Sequence, residues 1–189
     1  MKPQLYVVDD FYADPDAIRT YALGKHFTIS GNYPGLRTEP ESLEQSEYLK
    51  KYIQDNIMHT PITYWGREYN TAFQYTTEED STWVHHDETK WAGVLYLTPN
   101  PPLESGTTLY SHAKTGIYEH FPSQFDFNTS SEEAGDLSRW HKEIEIENRY
   151  NRLVIYNGMI YHRSTNAGFG TGPHNGRLFQ TFFFDTERL

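Results

Sequence analysis

Trp83-Val84-His85-His86-Asp87 decides how the rest of the chain is read. In an extended strand, side chains two apart share a face, so His85 and Asp87 project together while His86 points away. An imidazole nitrogen and a carboxylate oxygen aimed into one cavity are donors for a divalent cation. A second histidine from elsewhere would complete a 2-His-1-carboxylate set, the arrangement that leaves open positions on Fe(II).

Around this stretch lies a chain of 189 residues, enough for one domain with a real core. Aromatic residues make up 16%, with 15 Tyr and 11 Phe, which suits a β-rich globular protein. The net charge of −10 argues against nucleic-acid binding, which needs clustered Lys and Arg. There is no Cys, hence no disulfide, thiolate metal site or cysteine nucleophile. No apolar run of membrane-spanning length and no apolar leader within residues 1–20 occur. The expectation is a soluble, cytoplasmic protein with no membrane partner; its oligomeric state is not legible.

In chain order, Leu5-Tyr6-Val7-Val8 reads as a short strand. Asp14 and Pro15 fit the N-cap and first turn of a helix to about Leu23, with Ala17, Ile18, Tyr21 and Ala22 as its buried face. Asn32 to Gly35 reads as a turn. Ser42 to about Met58 has helical spacing, with Leu43, Leu49, Tyr52, Ile53 and Ile57 on one stripe before Pro61. Short aromatic and β-branched runs follow at Tyr69–Tyr75, Thr82–His86, Trp91–Leu97 and Gly106–Tyr110. Residues 119–150 are polar and read as an insertion, with a helix over about Asp136–Glu147. Strands return at Arg152–Tyr156 and Met159–His162 around an Asn157-Gly158 hairpin turn, and at Arg177–Phe184 after a glycine-rich loop. The whole is expected to be a single unit. Residues 1–62 supply a strand and supporting helices, and residues 63–189 a mainly β, jelly-roll core with helices packed on one face.

The chain holds nine histidines, so spacing alone is weak evidence. His162, at a strand end, is the candidate third donor. Arg177 opens the last strand; an interior arginine there is costly unless an anion meets it, and a dicarboxylate would do so. Together, His85-x-Asp87, His162 and Arg177 resemble the Fe(II)/2-oxoglutarate-dependent oxygenase superfamily. The flanking Trp91-Ala92-Gly93-Val94-Leu95-Tyr96-Leu97 and Gly106-Thr107-Thr108-Leu109-Tyr110, with Val8-Asp9-Asp10-Phe11 and Asp14–Arg19, resemble a little-characterised branch distantly related to prolyl hydroxylases. That resemblance covers most of the chain outside 119–150.

It implies a double-stranded β-helix, iron held by His85, Asp87 and His162, and 2-oxoglutarate paired to Arg177. It also implies co-substrate contacts from Tyr75, ten residues before His85, and from Tyr96 in the following strand. One departure is Phe179, which stands where many relatives carry a serine. The implied activity is dioxygen-dependent hydroxylation of a C–H bond in a small molecule or peptidyl side chain. A cupin-like metalloenzyme that does not use 2-oxoglutarate and a non-catalytic jelly-roll domain remain open alternatives. Hydrolase elbow, phosphate-loop and zinc-helix motifs are absent. The negative overall charge points to a neutral or cationic substrate, and residues 24–40 and 111–150 are the expected lid and specificity segments.

Overall fold

The computed structural model describes residues 5–120 and 131–187. The chain begins with β1 (Leu5–Val8), α1 (Pro15–Leu23), β2 (Ile29–Gly31), β3 (Tyr33–Arg37) and α2 (Leu43–Ile53), which runs into a π-helical turn at Gln54–Met58. β4 (Ile62–Trp65), β5 (Phe73–Thr76), β6 (Trp91–Tyr96) and β7 (Thr107–His112) follow. Then come α3 (Ser131–Gly135), β8 (Trp140–Ile146), β9 (Leu153–Asn157), β10 (His162–Ser164) and β11 (Arg177–Thr186).

Two antiparallel sheets form. The larger has eight strands in the order β1-β9-β6-β11-β5-β3-β2, with β4 also on β11; the smaller is β10-β7-β8. The expected mainly β, jelly-roll architecture with helices on one face is the one observed.

Strand alternation divides the large sheet into two working faces. Leu178, Phe182 and Phe184 of β11, with Phe73, Leu95 and Ile155, pack against Ala22 of α1 and Leu49 and Ile53 of α2. The intervening side chains Arg177, Phe179, Thr181 and Phe183 face the other way, into a cavity. Between the sheets, Ala92, Tyr96, Val154, Tyr156 and Phe179 meet Leu109 and Ile146. Both helices start at side-chain caps: the Asp14 carboxylate accepts from the Ala17 N–H and the Ser42 hydroxyl from the Gln45 N–H. Among the described residues no helix is long and apolar enough to cross a membrane.

Several local expectations are corrected. Ala17, Tyr21, Leu43 and Tyr52 are exposed, because these helices bury only a narrow stripe. Asn32–Gly35 is not merely a turn: Tyr33, Pro34 and Gly35 belong to β3, and the tight connection lies at Asn32. Pro34 is tolerated there because β3 is short and near the sheet edge. The helix expected over Asp136–Glu147 is instead β8, whose strand pairing with β7 overrides local helix propensity; residues 121–130 of the expected insertion lie outside the described residues. Asn157-Gly158 does not close a hairpin, since β9 joins the large sheet and β10 the small one.

Gly35 has φ +73°, and a Cβ there would stand 1.9 Å from the Tyr75 carbonyl oxygen across the β3–β5 ladder. Both the backbone sign and the close approach demand glycine. Gly35→Ala is expected to lower unfolding free energy by about 1–3 kcal/mol, read from urea denaturation. An unchanged midpoint would contradict this packing.

Candidate metal centre

Trp83 to Asp87 is extended but forms only one ladder step, His85 opposite His162, rather than the strand expected. That step is reciprocal: the His85 N–H donates to the His162 carbonyl at 2.9 Å and the His162 N–H to the His85 carbonyl at 2.7 Å. Residues paired in this way present their side chains on the same face, and the two imidazole centroids lie 4.4 Å apart. Val84 fixes the register by burying among Tyr110, Trp140 and Tyr161, which turns His85 toward the cavity. The Asp87 N–H donates to the Gly158 carbonyl at 2.7 Å. A Cβ on Gly158 would lie 3.2 Å from the Asp87 Cβ and 2.5 Å from the Thr89 carbonyl oxygen, so the connection must pass as glycine.

Side-chain hydrogen bonds orient the donors. The Nδ1 of His85 lies 3.0 Å from the Trp83 carbonyl, and that of His162 lies 2.7 Å from the Ile160 carbonyl. A carbonyl can only accept, so each Nδ1 carries a proton, which leaves Nε2 as the nitrogen each ring can offer to a metal ion. The Nε2 of His162 stands 3.3 Å from Asp87 Oδ2, near the roughly 3 Å between adjacent donors on an octahedral ion with bonds of about 2.1 Å. One donor atom from each of His85, Asp87 and His162 lies within 4.8 Å of the others. Burial and the neighbouring His162 push the His85 imidazolium pKa down to about 4. For Asp87, burial raises the pKa, but His162, His85 and Arg37 outweigh it and hold the carboxyl below its usual 3.8. The set is two imidazole nitrogens and one carboxylate oxygen, a donor chemistry that fits a divalent ion such as Fe(II).

These residues line a cavity of about 500 Å³. Arg177 also lines it and is 1% exposed. Its Nε donates to the Ser105 carbonyl at 2.7 Å and its Nη2 to the Gly106 carbonyl at 3.1 Å. The plane of the guanidinium is held over Phe179 at 4.5 Å and Tyr96 at 5.3 Å. No carboxylate pairs with it among the described residues, and burial lowers its pKa. A charge kept dry without a counterion is an anion site. The cavity thus offers both a cation-binding donor set and a buried cation able to meet a carboxylate, a combination that suits a dicarboxylate such as 2-oxoglutarate.

The structure treats the two tyrosines differently. Tyr96 is fully buried on the cavity side of β6; its hydroxyl is 2.8 Å from Thr107 Oγ1, and it supports Arg177 from beneath. Tyr75 pairs with Leu178 and therefore faces the helices, its ring 5.1 Å from Phe27. It is not brought to the cavity; Gln74, one residue earlier, is. His86 also borders the cavity but stands outside the donor cluster, its ring stacked on His120 at 3.9 Å between centroids. Arg37 and Gln74 are cavity residues that sequence reading passed over, because the turn assigned to residues 32–35 concealed the alternation of β3. The placement of residues 24–40 as a specificity segment pointed toward Arg37 alone.

Compared with known proteins, the chain matches the model of a family of unknown function, DUF6445, over residues 1–184. A comparison with curated proteins gave no match. Among solved structures, it is similar to HygX from Streptomyces hygroscopicus with nickel, 2-oxoglutarate and hygromycin B bound, at TM-score 0.63 and 11% identity over 97% of this chain and 83% of that one. A prolyl hydroxylase from Trichoplax adhaerens, in complex with a hypoxia inducible factor peptide fragment, gives TM-score 0.57 and 13% identity over 97% and 84%. A prolyl-4-hydroxylase from Pseudomonas putida gives 0.53 and 15% over 98% and 94%. At these identities the shared property is the fold, and it is the fold of the superfamily that the sequence motifs resemble.

The His85 shift has a consequence for the metal-free protein. Between pH 6.5 and about 4 the unfolded chain takes up a proton that the folded protein refuses. Stability therefore falls as pH is lowered through that window, by at most about 1.4 kcal/mol per pH unit. The contribution of Asp87, with its lowered pKa, is present above 3.8 and is lost only below it. Urea midpoints measured from pH 7 to pH 4.5 should fall less steeply in His85→Gln than in the wild type; parallel curves would contradict the assignment.

Proposed function

We propose that the chain, which belongs to the family of unknown function DUF6445, is a non-haem Fe(II)- and 2-oxoglutarate-dependent dioxygenase that hydroxylates a C–H bond. The observation that carries this reading is the pairing, in one cavity, of a His, His, Asp donor set with a buried arginine that has no carboxylate partner among the described residues. The solved structures of similar fold support it, because HygX binds nickel and 2-oxoglutarate on that scaffold.

In this reading His85, Asp87 and His162 would hold Fe(II) where they face the cavity. Fe(II) and 2-oxoglutarate together supply the oxidative decarboxylation, to succinate and CO2, that lets dioxygen oxidise a C–H bond. Everything else falls to the chain. Arg177 fixes the far carboxylate of 2-oxoglutarate through charge-assisted hydrogen bonds. The carbonyls of Ser105 and Gly106 hold its guanidinium in place, and Tyr96 and Thr107 line the region around it. The carbonyls of Trp83 and Ile160 hold a proton on Nδ1 of each histidine and so turn each Nε2 toward the ion's position. Phe179, Tyr156 and Val94 exclude water from the inner cavity. The substrate, a small molecule or peptidyl group, enters from the side lined by Tyr33, Tyr69 and Trp83.

Succinate release from 2-oxoglutarate under air tests the reading. Asp87→Ala should fall to background, whereas His86→Ala should stay within about tenfold of wild type, since losing a ligand removes the ion while losing a flanking ring does not. Arg177→Ala should raise the 2-oxoglutarate concentration needed by about 100-fold or more, the loss of a buried charge pair of roughly 3 kcal/mol. Equal losses in Asp87→Ala and His86→Ala would reject the ligand set.

A further inference from the structure

A second arginine shares the cavity, and the proposed reaction leaves it without a role. Arg37, on β3, is 7% exposed and lines the same space as the triad. Its Nε donates to Gln74 Oε1 at 2.6 Å, and the Gln74 amide is held in turn by donating to the Pro34 carbonyl at 2.6 Å. The guanidinium lies 3.7 Å from the Tyr33 ring centroid, 5.2 Å from that of Tyr69 and 5.8 Å from that of Phe183. Its Nη1 and Nη2 make no hydrogen bond among the described residues, and no carboxylate lies within ion-pair distance.

Position separates Arg37 from Arg177. Arg37 pairs with Gln74 across β3–β5, and Gln74 with Phe179 across β5–β11. The two arginines are therefore two strands apart, roughly 10 Å between backbones at about 4.8 Å per strand. Different partners also fix the two guanidiniums, Gln74 for Arg37 and the Ser105 and Gly106 carbonyls for Arg177. Charge accounting points the same way. A dication, Asp87, 2-oxoglutarate and Arg177 cancel among themselves. Glu68 and Glu88 stand exposed at the rim, where water screens them. Arg163 is half-buried there and donates to the Ser164 and Thr165 carbonyls. Arg37 is left as a dry cation with open donors.

We propose that Arg37, held by Gln74 and walled by Tyr33, Tyr69 and Phe183, anchors a carboxylate of the substrate, so that the enzyme acts on a small organic acid. The proposal rests on the oxygenase reading, because it is the assignment of Arg177 to 2-oxoglutarate that leaves Arg37 to the substrate. A fixed guanidinium with two free edge nitrogens matches a carboxylate in a bidentate pair. The aromatic walls pre-set the fork and supply contact area for the carbon skeleton. A cavity of about 500 Å³ is of small-molecule size. The chain as a whole is negative, which favours neutral or cationic molecules at long range, but the inner cavity carries the opposite sign.

The test is calorimetric and needs no turnover. Fe(II)-loaded, 2-oxoglutarate-saturated protein is titrated anaerobically with propionate, benzoate and phenylacetate, and with their primary amides. At least one acid should bind the wild type about tenfold or more tightly than its amide, as expected when one charge-assisted pair is gained. Arg37→Gln should erase that preference and leave 2-oxoglutarate affinity within about threefold, Arg37→Lys should keep part of it, and Arg177→Gln should lose 2-oxoglutarate instead. Acids binding no better than amides in the wild type would overturn the proposal, whether or not the variants fold. Loss of 2-oxoglutarate in Arg37→Gln but not in Arg177→Gln would also overturn it, by making Arg37 the co-substrate's own anchor. If the wild type took up no 2-oxoglutarate yet bound the acids through Arg37, the oxygenase reading would fail while the anion anchor stood.

Discussion

Two backbone hydrogen bonds between His85 and His162 carry the site. They are the only ladder step made by the segment from Trp83 to Asp87 among the described residues, yet they bring residues 77 apart in sequence onto one face. Slipping that pairing by one residue would turn His85 and Asp87 away from His162 and break up the donor cluster. The burial of Val84 opposes such a slip on one side, and the glycine at 158 opposes it on the other. The donor geometry is therefore set by backbone pairing and core packing before any ion arrives. That is what pre-organisation requires of a metal site.

The large sheet makes the second contribution. Because β11 alternates strictly, the same ten residues build the helix-side core with Leu178, Phe182 and Phe184 and the cavity wall with Arg177, Phe179, Thr181 and Phe183. The cost of burying Arg177 is accepted at the start of the strand, where the carbonyls of Ser105 and Gly106 satisfy part of the guanidinium and leave the rest facing the cavity. Arg37 repeats the arrangement two strands away with aromatic rings in place of carbonyls. The cavity is thus cationic at two points within a protein whose net charge is −10.

Much of this was legible in the sequence, for identifiable reasons. His85, Asp87, His162 and Arg177 could be read because a two-residue period and strand-end positions are local signals, and because the motif text around them is itself distinctive. The helices at Pro15 and Leu43 announced themselves through Asp14 and Ser42. What could not be read depended on pairing partners distant in sequence. Tyr75 looked suited to the cavity until its register opposite Leu178 placed it on the helix face. The stretch Asp136–Glu147, expected as a helix, holds an edge strand over residues 140–146 because β7 supplied a partner. Arg37 was hidden because Pro34 and Gly35 imitate a turn, and only the ladder with β5 shows that they lie within a strand.

The central claim is that one cavity holds both an Fe(II) ion and 2-oxoglutarate. Visible absorbance of the Fe(II)-loaded protein, recorded anaerobically as 2-oxoglutarate is added, tests it most directly. The account predicts a weak charge-transfer band that grows and saturates at one 2-oxoglutarate per chain. Fe(II) bound at the triad with no band at any 2-oxoglutarate concentration would contradict it.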